Sequence, residues 1–445
     1  MAHSGSAFPH VPGFDSTAAL LVDGYDFVGQ RCRRYGSDAF ETRLMLRKVV
    51  CAMGAEAAAV FYHPGRFTRR GAMPPTTVAL LQDFGSVQRL DGPAHAHRKA
   101  LFLRLLDAPG TARMVSLFRE EWRRQALHWQ HASRVTLLPQ AELILCRTAC
   151  RWAGVPLPDD QAPRRARDLA DTIEGAGASG PRLLRGWLAR ERCERWARQT
   201  IRRLRGAAVD AATPAAALAG YRRPDGGRLS CSDAATELLN LLRPTVAVAR
   251  WIAFAALALH RQPDIRRRLQ AGEPGLLLAV VQEVRRLYPF FPFIGGRVRE
   301  PFVWRGRRFE PGDWMVLDLY GTDHDPRRWT HPERFDPARF ADWDGNAYDF
   351  IPQGGGEVAL THRCPGENPA IALLMVAVGE LANALRYTVP PQDLRYRLDR
   401  LPSRPASGFV MADVRAAGVA TWPHRPAIGV TRPAPRCAAS PRAPR

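Results

Sequence analysis

Apolar residues recur at helical spacing along most of this chain, and this periodicity is the strongest constraint on its fold. It predicts nine helices, at 16–35, 54–62, 94–106, 111–131, 140–153, 181–208, 233–260, 275–288 and 367–385. Strand-like sequence is concentrated in 302–320, on both sides of a Pro-Gly turn. Because no internal repeat or linker interrupts residues 1–422, we expect one mainly α domain with a small β component.

The charge balance is strongly basic, with 64 Lys and Arg against 43 Asp and Glu and a net charge of +21. Part of the excess lies in 423–445, which holds five Arg, six Pro and no acidic residue and is predicted to be a disordered tail. The other basic residues are scattered, which favours solvated helix faces over a nucleic-acid-binding surface. A basic helical protein that binds nucleic acid without a cofactor is the alternative from another functional class.

The sequence predicts neither a membrane span nor export. The longest apolar run near the middle of the chain, 251–259, has nine residues, whereas a span needs about 20. Residues 1–22 lack the basic segment and continuous apolar core of a secretory signal. The eight cysteines form no CxxC pair and no zinc-finger spacing. We therefore expect a cytoplasmic protein without a disulfide framework.

Cys364 has the most informative surroundings of the eight cysteines. Three glycines, 354–356, precede it, and the next predicted helix begins directly after Gly366. A thiolate at a helix N-terminus is favoured by the backbone N–H groups and the helix dipole, and it can bind a metal. Arg363 is a candidate to pair with carboxylates of a flat cofactor. The alternatives are a buried structural cysteine or a Cys-His nucleophile, for which His362 is poorly placed.

A second element is the pair Glu283 and Arg286, three residues apart in the predicted helix 275–288. At this spacing the side chains share a helix face and can pair. Arg339, in the segment Pro-Ala-Arg-Phe, is a candidate to join Glu283. Such pairs are common on helix surfaces, so the spacing alone does not indicate a function.

These elements, in this order, resemble the cytochrome P-450 superfamily over nearly the whole chain. The resemblance implies a single haem-thiolate domain in which Cys364 binds the iron of haem b. It also implies that Glu283, Arg286 and Arg339 hold the segment behind the haem. Phe350 lies fourteen residues before Cys364 instead of the usual seven, and this insertion resembles the bacterial fatty-acid peroxygenases.

The segment 91–102 resembles the helix of that superfamily that faces the haem propionates. His95, Arg98 and Lys99 are its cationic candidates. The alternative is a solvated basic turn, because surface charges constrain a structure little.

Arg243 stands among leucines in the long helical pattern 233–260, and Pro244 follows it. A buried guanidinium requires an anion, and Pro244 removes the helix hydrogen bond to the carbonyl of Asn240, which predicts a kink. Monooxygenases of the superfamily carry an acid–alcohol pair here, whereas Arg-Pro resembles the peroxygenase branch. The resemblance implies that a fatty-acid carboxylate bound by Arg243 is the general acid–base. The alternatives are a salt bridge to a protein carboxylate and a snorkelling side chain on a surface helix.

Gln88 matches a distal position at which alkene-forming relatives tend to carry His and hydroxylating relatives carry Gln. The alternative is a loop glutamine that hydrogen-bonds backbone or water. The resulting hypothesis is a peroxygenase that hydroxylates long-chain fatty acids at the α or β carbon with hydrogen peroxide and without an obligatory redox partner. The alternatives within the superfamily are decarboxylation to a terminal alkene and a monooxygenase that needs redox partners.

Overall fold

The computed structural model describes residues 8–83, 85–206 and 213–416, so the predicted tail at 423–445 lies outside the described residues. Within them the α-helices are α1 Thr17–Asp23, α2 Phe27–Tyr35, α3 Ala55–Phe61, α4 Pro75–Leu81, α5 Gly92–Leu105, α6 Ala108–Trp129, α7 Leu137–Ala153, α8 Ala162–Gly175, α9 Gly180–Gly206, α10 Pro214–Gly220, α11 Cys231–Ala247, α12 Ala249–Arg261, α13 Pro263–Gln270, α14 Leu276–Leu287, α15 Leu319–Asp323 and α16 Glu367–Gly379.

The strands form three small sheets at the edge of the helical body. They are β1 Ala39–Leu44, β2 Arg47–Ala52, β3 Phe67–Thr68, β4 Arg134–Thr136, β5 Phe293–Val298, β6 Phe302–Trp304, β7 Arg307–Phe309, β8 Trp314–Asp318, β9 Leu385–Thr388 and β10 Val410–Ala416. The five-stranded sheet has the order β1-β2-β8-β5-β3, the three-stranded sheet β4-β10-β9, and β6 pairs with β7. Strands β2 and β8 are parallel, with Val50 opposite Met315. The fold is therefore mainly α with a small β component, as predicted.

The centre of the helical body is the pair α11 and α12. Every residue from Ala249 to Leu259 is at most 1% exposed. The stretch Cys231–Arg261 is long and apolar enough to cross a membrane by length and composition, but 89% of its most apolar window is buried inside the protein. Burial on all sides explains the nearly unbroken apolar sequence, because a central helix has no solvent-facing stripe.

All nine predicted helices are present, but several have different limits. The first predicted helix is interrupted at Gly24, whose φ of 56° is positive. Glycine is required here because a Cβ at this position would clash with the carbonyl of Leu398. Pro244 stays inside α11, and the break to α12 comes four residues later, at Val248. Strands β1 and β2 and helices such as α8 were not predicted from the sequence.

Candidate active site

Cys364 is held by backbone hydrogen bonds at the entrance to α16. Its N–H donates to the carbonyl of Gln353 at 3.0 Å, and Gly366 is the residue before the first helical turn. Cys364 is partly exposed, whereas five of the seven described cysteines are buried. Although the residue as a whole is partly exposed, desolvation of its thiol raises the pKa of Cys364, while the N–H of Gly366 and the charge of Lys99 act in the opposite direction. A bound metal ion would lower the pKa of this thiol and favour the thiolate.

Behind Cys364, Glu367 joins two arginines. Arg363 Nε donates to Glu367 Oε2 at 2.7 Å and Arg363 Nη1 to the carbonyl of Gly356 at 3.2 Å. Arg285 Nη2 lies 2.5 Å from Glu367 Oε1 and is 1% exposed on its side chain. Arg363, predicted to face cofactor carboxylates, is thus directed at a protein carboxylate. The sequence analysis missed Arg285 and Glu367, which are 82 residues apart and share no local pattern.

The three cationic candidates on α5 have different surroundings. Lys99 Nζ donates to the carbonyls of Thr361 and Arg363, the latter at 2.7 Å, and burial lowers its pKa to about 8. The ring of His95 packs 4.2 Å from that of His362, and burial lowers the pKa of His95 to about 4, so it is neutral at pH 7. Arg98 Nη1 is paired with Glu237 Oε1 at 3.1 Å. Of these three residues, only Lys99 is therefore a cation at the cysteine loop, the segment 353–364 that ends at Cys364.

Arg69 is a second buried cation near this loop, and the sequence analysis missed it. It is 5% exposed, its Nη1 donates to the carbonyl of Gly295 at 2.8 Å, and its charge acts on both His95 and His362. Its position depends on the pairing of β3 with β5, which the sequence does not reveal. Within the described residues, neither Arg69 nor Lys99 has a carboxylate within 4.0 Å. A thiol at a helix start beside two uncompensated cations fits haem, which carries two carboxylates.

The structure brings Glu283, Arg286 and Arg339 together. Arg286 donates twice to the Glu283 carboxylate, each time at 2.8 Å, and both side chains are fully buried. Arg339 Nε lies 3.2 Å from the same carboxylate, and the N–H of Asp336 donates to it at 2.9 Å. Arg286 also donates to the carbonyl of Pro332 at 2.8 Å. This cluster fixes the irregular segment 324–341 to α14, and its relation to the haem remains a prediction.

Arg243 lies on α11 with its guanidinium directed at α4. It is 5% exposed and donates to the carbonyls of Leu80, at 3.3 Å, and Leu81, and to Asn240 Oδ1 at 3.2 Å. All three acceptors are neutral. Burial lowers the pKa of Arg243 to about 9, and the charge of Arg190 acts in the same direction. The guanidinium is still protonated at pH 7, so the described residues leave a buried positive charge without a carboxylate partner.

Gln88 is half-buried in the 3-10 turn Val87–Arg89, which leads into α5. The N–H of Val87, the residue before it, donates to Glu237 Oε1 on α11 at 2.7 Å. The turn that carries Gln88 is therefore hydrogen-bonded to α11, the helix that contains Arg243, although 155 residues separate Gln88 and Arg243 in the sequence.

The comparisons with known proteins agree with this geometry. The cytochrome P450 family model matches residues 274–412. Among curated relatives, putative cytochrome P450 138 of Mycobacterium tuberculosis is 26% identical over 372 residues, or 78% of this chain and 82% of its own length. Cytochrome P450 4A7 of Oryctolagus cuniculus is 29% identical over 194 residues, and the chain spans only 36% of the length of that relative.

Three solved structures are similar over most of their length. Cytochrome P450SP alpha (CYP152B1) is 44% identical, with a TM-score of 0.88 and coverage of 91% of this chain and 100% of its own. Cytochrome P450EX alpha (CYP152N1) is 38% identical, with a TM-score of 0.89 and coverage of 93% and 100%. A variant of cytochrome P450 OleT is 30% identical, with a TM-score of 0.88 and coverage of 92% and 99%. The chain therefore belongs to the cytochrome P450 superfamily and, within it, to the CYP152 family of fatty-acid peroxygenases.

Proposed function

We propose that this protein hydroxylates long-chain fatty acids at the α or β carbon with hydrogen peroxide, using haem b bound through Cys364. The observation that carries the proposal is the buried, protonated Arg243, whose hydrogen-bond acceptors in the described residues are all neutral. A fatty-acid carboxylate would form a charge-assisted and, through the guanidinium fork, bidentate contact with it. The acyl chain supplies the apolar part of the ligand.

The described side chains near Arg243 offer no free acid for proton transfer. Thr245 Oγ1 donates to the carbonyl of Leu241 at 2.8 Å, and Glu237 is paired with Arg98. The nearby Asp83 is bound by Arg190 at 2.8 Å. We infer that the substrate carboxylate, held by Arg243, moves the peroxide proton as general acid–base.

The bound haem would supply the iron at which peroxide is activated, with electron donation from the thiolate. Arg243 then has two tasks, which are to bind the carboxylate and to hold it at the place where a proton must move. Anchoring the carboxylate also brings Cα and Cβ closer to the reaction centre than the rest of the chain, so proximity sets the position of hydroxylation.

Solved variants of P450SP alpha are substituted at four positions that have counterparts in this chain. They carry substitutions of a leucine, an arginine, an alanine and a phenylalanine. Residues of the same four types occur here in the same order and at the same separations, at Leu80, Arg243, Ala247 and Phe290. Leu80 accepts a hydrogen bond from Arg243, and Phe290 stacks on Trp251 at 3.8 Å. P450EX alpha has been solved with myristic acid and OleT with arachidonic acid.

Gln88 favours hydroxylation over decarboxylation, because an amide cannot carry a proton as an imidazolium does. Peroxide supplies both the oxygen atom and the oxidising equivalents, so no redox partner is required. We also infer a cytoplasmic location, since the seven described cysteines are all free thiols.

The proposal is tested by turnover with hydrogen peroxide alone, using myristic acid and its methyl ester. The free acid should give α- or β-hydroxy acid, and the ester should react far more slowly. Arg243→Ala should lose at least about thirtyfold in affinity for the acid, because losing one partner of a desolvated pair costs at least about 2 kcal/mol. Arg147→Ala is the matched control, since Arg147 is also largely buried but has its own partner, Asp159, at 2.6 Å.

Three results would contradict the proposal. They are wild-type turnover by Arg243→Ala, equal rates for acid and ester, and a terminal alkene as the main product. A short carboxylic acid should also let peroxide oxidise a substrate that lacks a carboxylate, because the small acid would occupy the place beside Arg243.

A further inference from the structure

Glu237 is a buried carboxylate on α11 that the proposed mechanism does not use. Its side chain is 0% exposed and accepts three hydrogen bonds. The donors are the N–H of Val87 at 2.7 Å, Arg98 Nη1 at 3.1 Å and Asn240 Nδ2 at 3.0 Å. A carboxylate only accepts hydrogen bonds, so three donors around two oxygens match its ionised form.

Asn240 connects Glu237 to Arg243. The residues 237, 240 and 243 follow one another at three-residue spacing on one face of α11. Because Asn240 Nδ2 donates to Glu237, its Oδ1 is directed at Arg243, from which it accepts at 3.2 Å. The carboxylate therefore fixes which end of the amide faces the guanidinium. A neutral amide transmits this orientation without neutralising the charge of Arg243.

The same carboxylate also attaches the turn that carries Gln88. The N–H of Val87 donates to Glu237, and Arg98, the ion-pair partner of Glu237, donates to the carbonyl of Gly85 at 2.7 Å. A Cβ at Gly85 would lie 1.9 Å from Asp233 Oδ1, so this turn packs closely on α11. The Glu237–Arg98 pair is thus connected both to the guanidinium of Arg243, through Asn240, and to the turn that carries Gln88.

We propose that Glu237 is a positioning residue for Arg243 and Gln88. It sets the orientation of Arg243 through Asn240 and the position of Gln88 through Val87. This inference rests on the proposed role of Arg243 as the carboxylate anchor. Glu237→Gln should keep the shape of the side chain. It no longer presents only hydrogen-bond acceptors, because an amide can present either a donor or an acceptor to Asn240. Asn240 can then turn its NH2 group toward the guanidinium, where it no longer accepts.

The test measures the dissociation constant of myristic acid and the ratio of α- to β-hydroxy product in the haem-loaded protein. Glu237→Gln should bind the acid about five- to tenfold more weakly, the effect of one lost hydrogen bond, and should change the product ratio. Glu121→Gln is the matched control, because Glu121 is 5% exposed and joins two arginines, Arg124 and Arg151, away from this site. It should lower thermal stability but leave both readouts unchanged.

A double-mutant cycle separates positioning from general destabilisation. In an Arg243→Ala background, Glu237→Gln should weaken binding by less than about twofold, because the residue that it positions is absent. Asn240→Leu breaks the connection without disturbing the Glu237–Arg98 pair, and it should reproduce the loss even where Glu237→Gln folds poorly.

Several results would overturn the inference. They are wild-type affinity and product ratio in Glu237→Gln or Asn240→Leu, equal changes in Glu121→Gln, and full additivity with Arg243→Ala. If Arg243→Ala itself binds myristic acid normally, the proposed function fails. If only Arg243→Ala loses affinity, the proposed function stands and the role of Glu237 is wrong.

Discussion

Replacing Glu367 by Gln tests how strongly the cysteine loop depends on one buried carboxylate. Glu367 Oε1 lies 2.5 Å from Arg285 Nη2 and Oε2 lies 2.7 Å from Arg363 Nε, and the three side chains are 1 to 14% exposed. The substitution keeps the shape and one acceptor oxygen but leaves two buried guanidiniums without an anion. Breaking such a pair costs about 3–5 kcal/mol, and the retained acceptor places our expectation near 3 kcal/mol. That is a large share of a typical stability of about 5–15 kcal/mol.

The assay is urea unfolding of the haem-loaded protein at neutral and acid pH. Glu273→Gln is the control, because the pair Arg268–Glu273 is 51% and 39% exposed and an exposed pair contributes at most about 1 kcal/mol. Burial acts to raise the pKa of Glu367, but Arg285 and Arg363 outweigh it and the net pKa is lowered from 4.5. The stabilisation is therefore complete above pH 4.5 and is lost as the pH falls through the lower folded pKa. Glu367→Gln should lack this acid-sensitive part. A loss below 1 kcal/mol, or an unchanged acid dependence, would refute the reasoning.

Three further predictions concern other parts of the chain. Cys364→Ala should abolish the red-shifted carbon-monoxide band of the reduced haem-thiolate protein, and a normal band would exclude Cys364 as the ligand. The wild type should lose stability as the pH falls from about 6.5 to 4, because burial lowers the pKa of His95 in the folded state and only the unfolded state then binds the proton. His95→Asn should remove this loss, which is measured as the change in melting temperature across that pH range. Deleting 423–445 should leave peroxide-driven turnover nearly unchanged, since the segment lacks the apolar content that ordering requires, and a large loss of bound haem would contradict this.

The sequence predicted best those features that are local in the chain. Cys364 stands between a glycine-rich loop and a helix start, and Glu283 and Arg286 share a helix turn, so their spacing was informative. Arg243 was recognisable because a guanidinium among leucines needs a partner. The structure places Cys364 before the start of α16, pairs Glu283 with Arg286 and buries Arg243 on α11, and the functional roles of all four remain predictions.

Contacts between distant segments could not be predicted in the same way. His95, Arg98 and Lys99 have the spacing of one helix face, but Arg98 is paired with a residue 139 positions away and Lys99 binds a carbonyl 262 positions away. Helix spacing defines which residues are neighbours, but tertiary packing decides what each of them meets. The same reason explains why Arg69 and Glu237 were missed: each depends on segments that meet only in the folded protein.

In this arginine-rich chain, the buried basic residues fall into two groups, those with a carboxylate partner and those without one. Eight Lys and Arg residues are buried among those that the structure describes. Five have a carboxylate partner, and these are Arg98, Arg190, Arg250, Arg285 and Arg286. The other three, Arg69, Lys99 and Arg243, bind neutral oxygens among the described residues.

An uncompensated buried cation destabilises a fold unless an anion joins it. Arg69 and Lys99 lie near the cysteine loop, where we expect the two carboxylates of the haem, and Arg243 lies on the central helix, where the proposed substrate brings one. The destabilised charges thus coincide with the places at which a ligand is expected, whereas the paired charges hold the elements around them. The count of 64 basic residues carries little functional information, but we propose that the three buried ones without a carboxylate partner among the described residues bind the cofactor and the substrate.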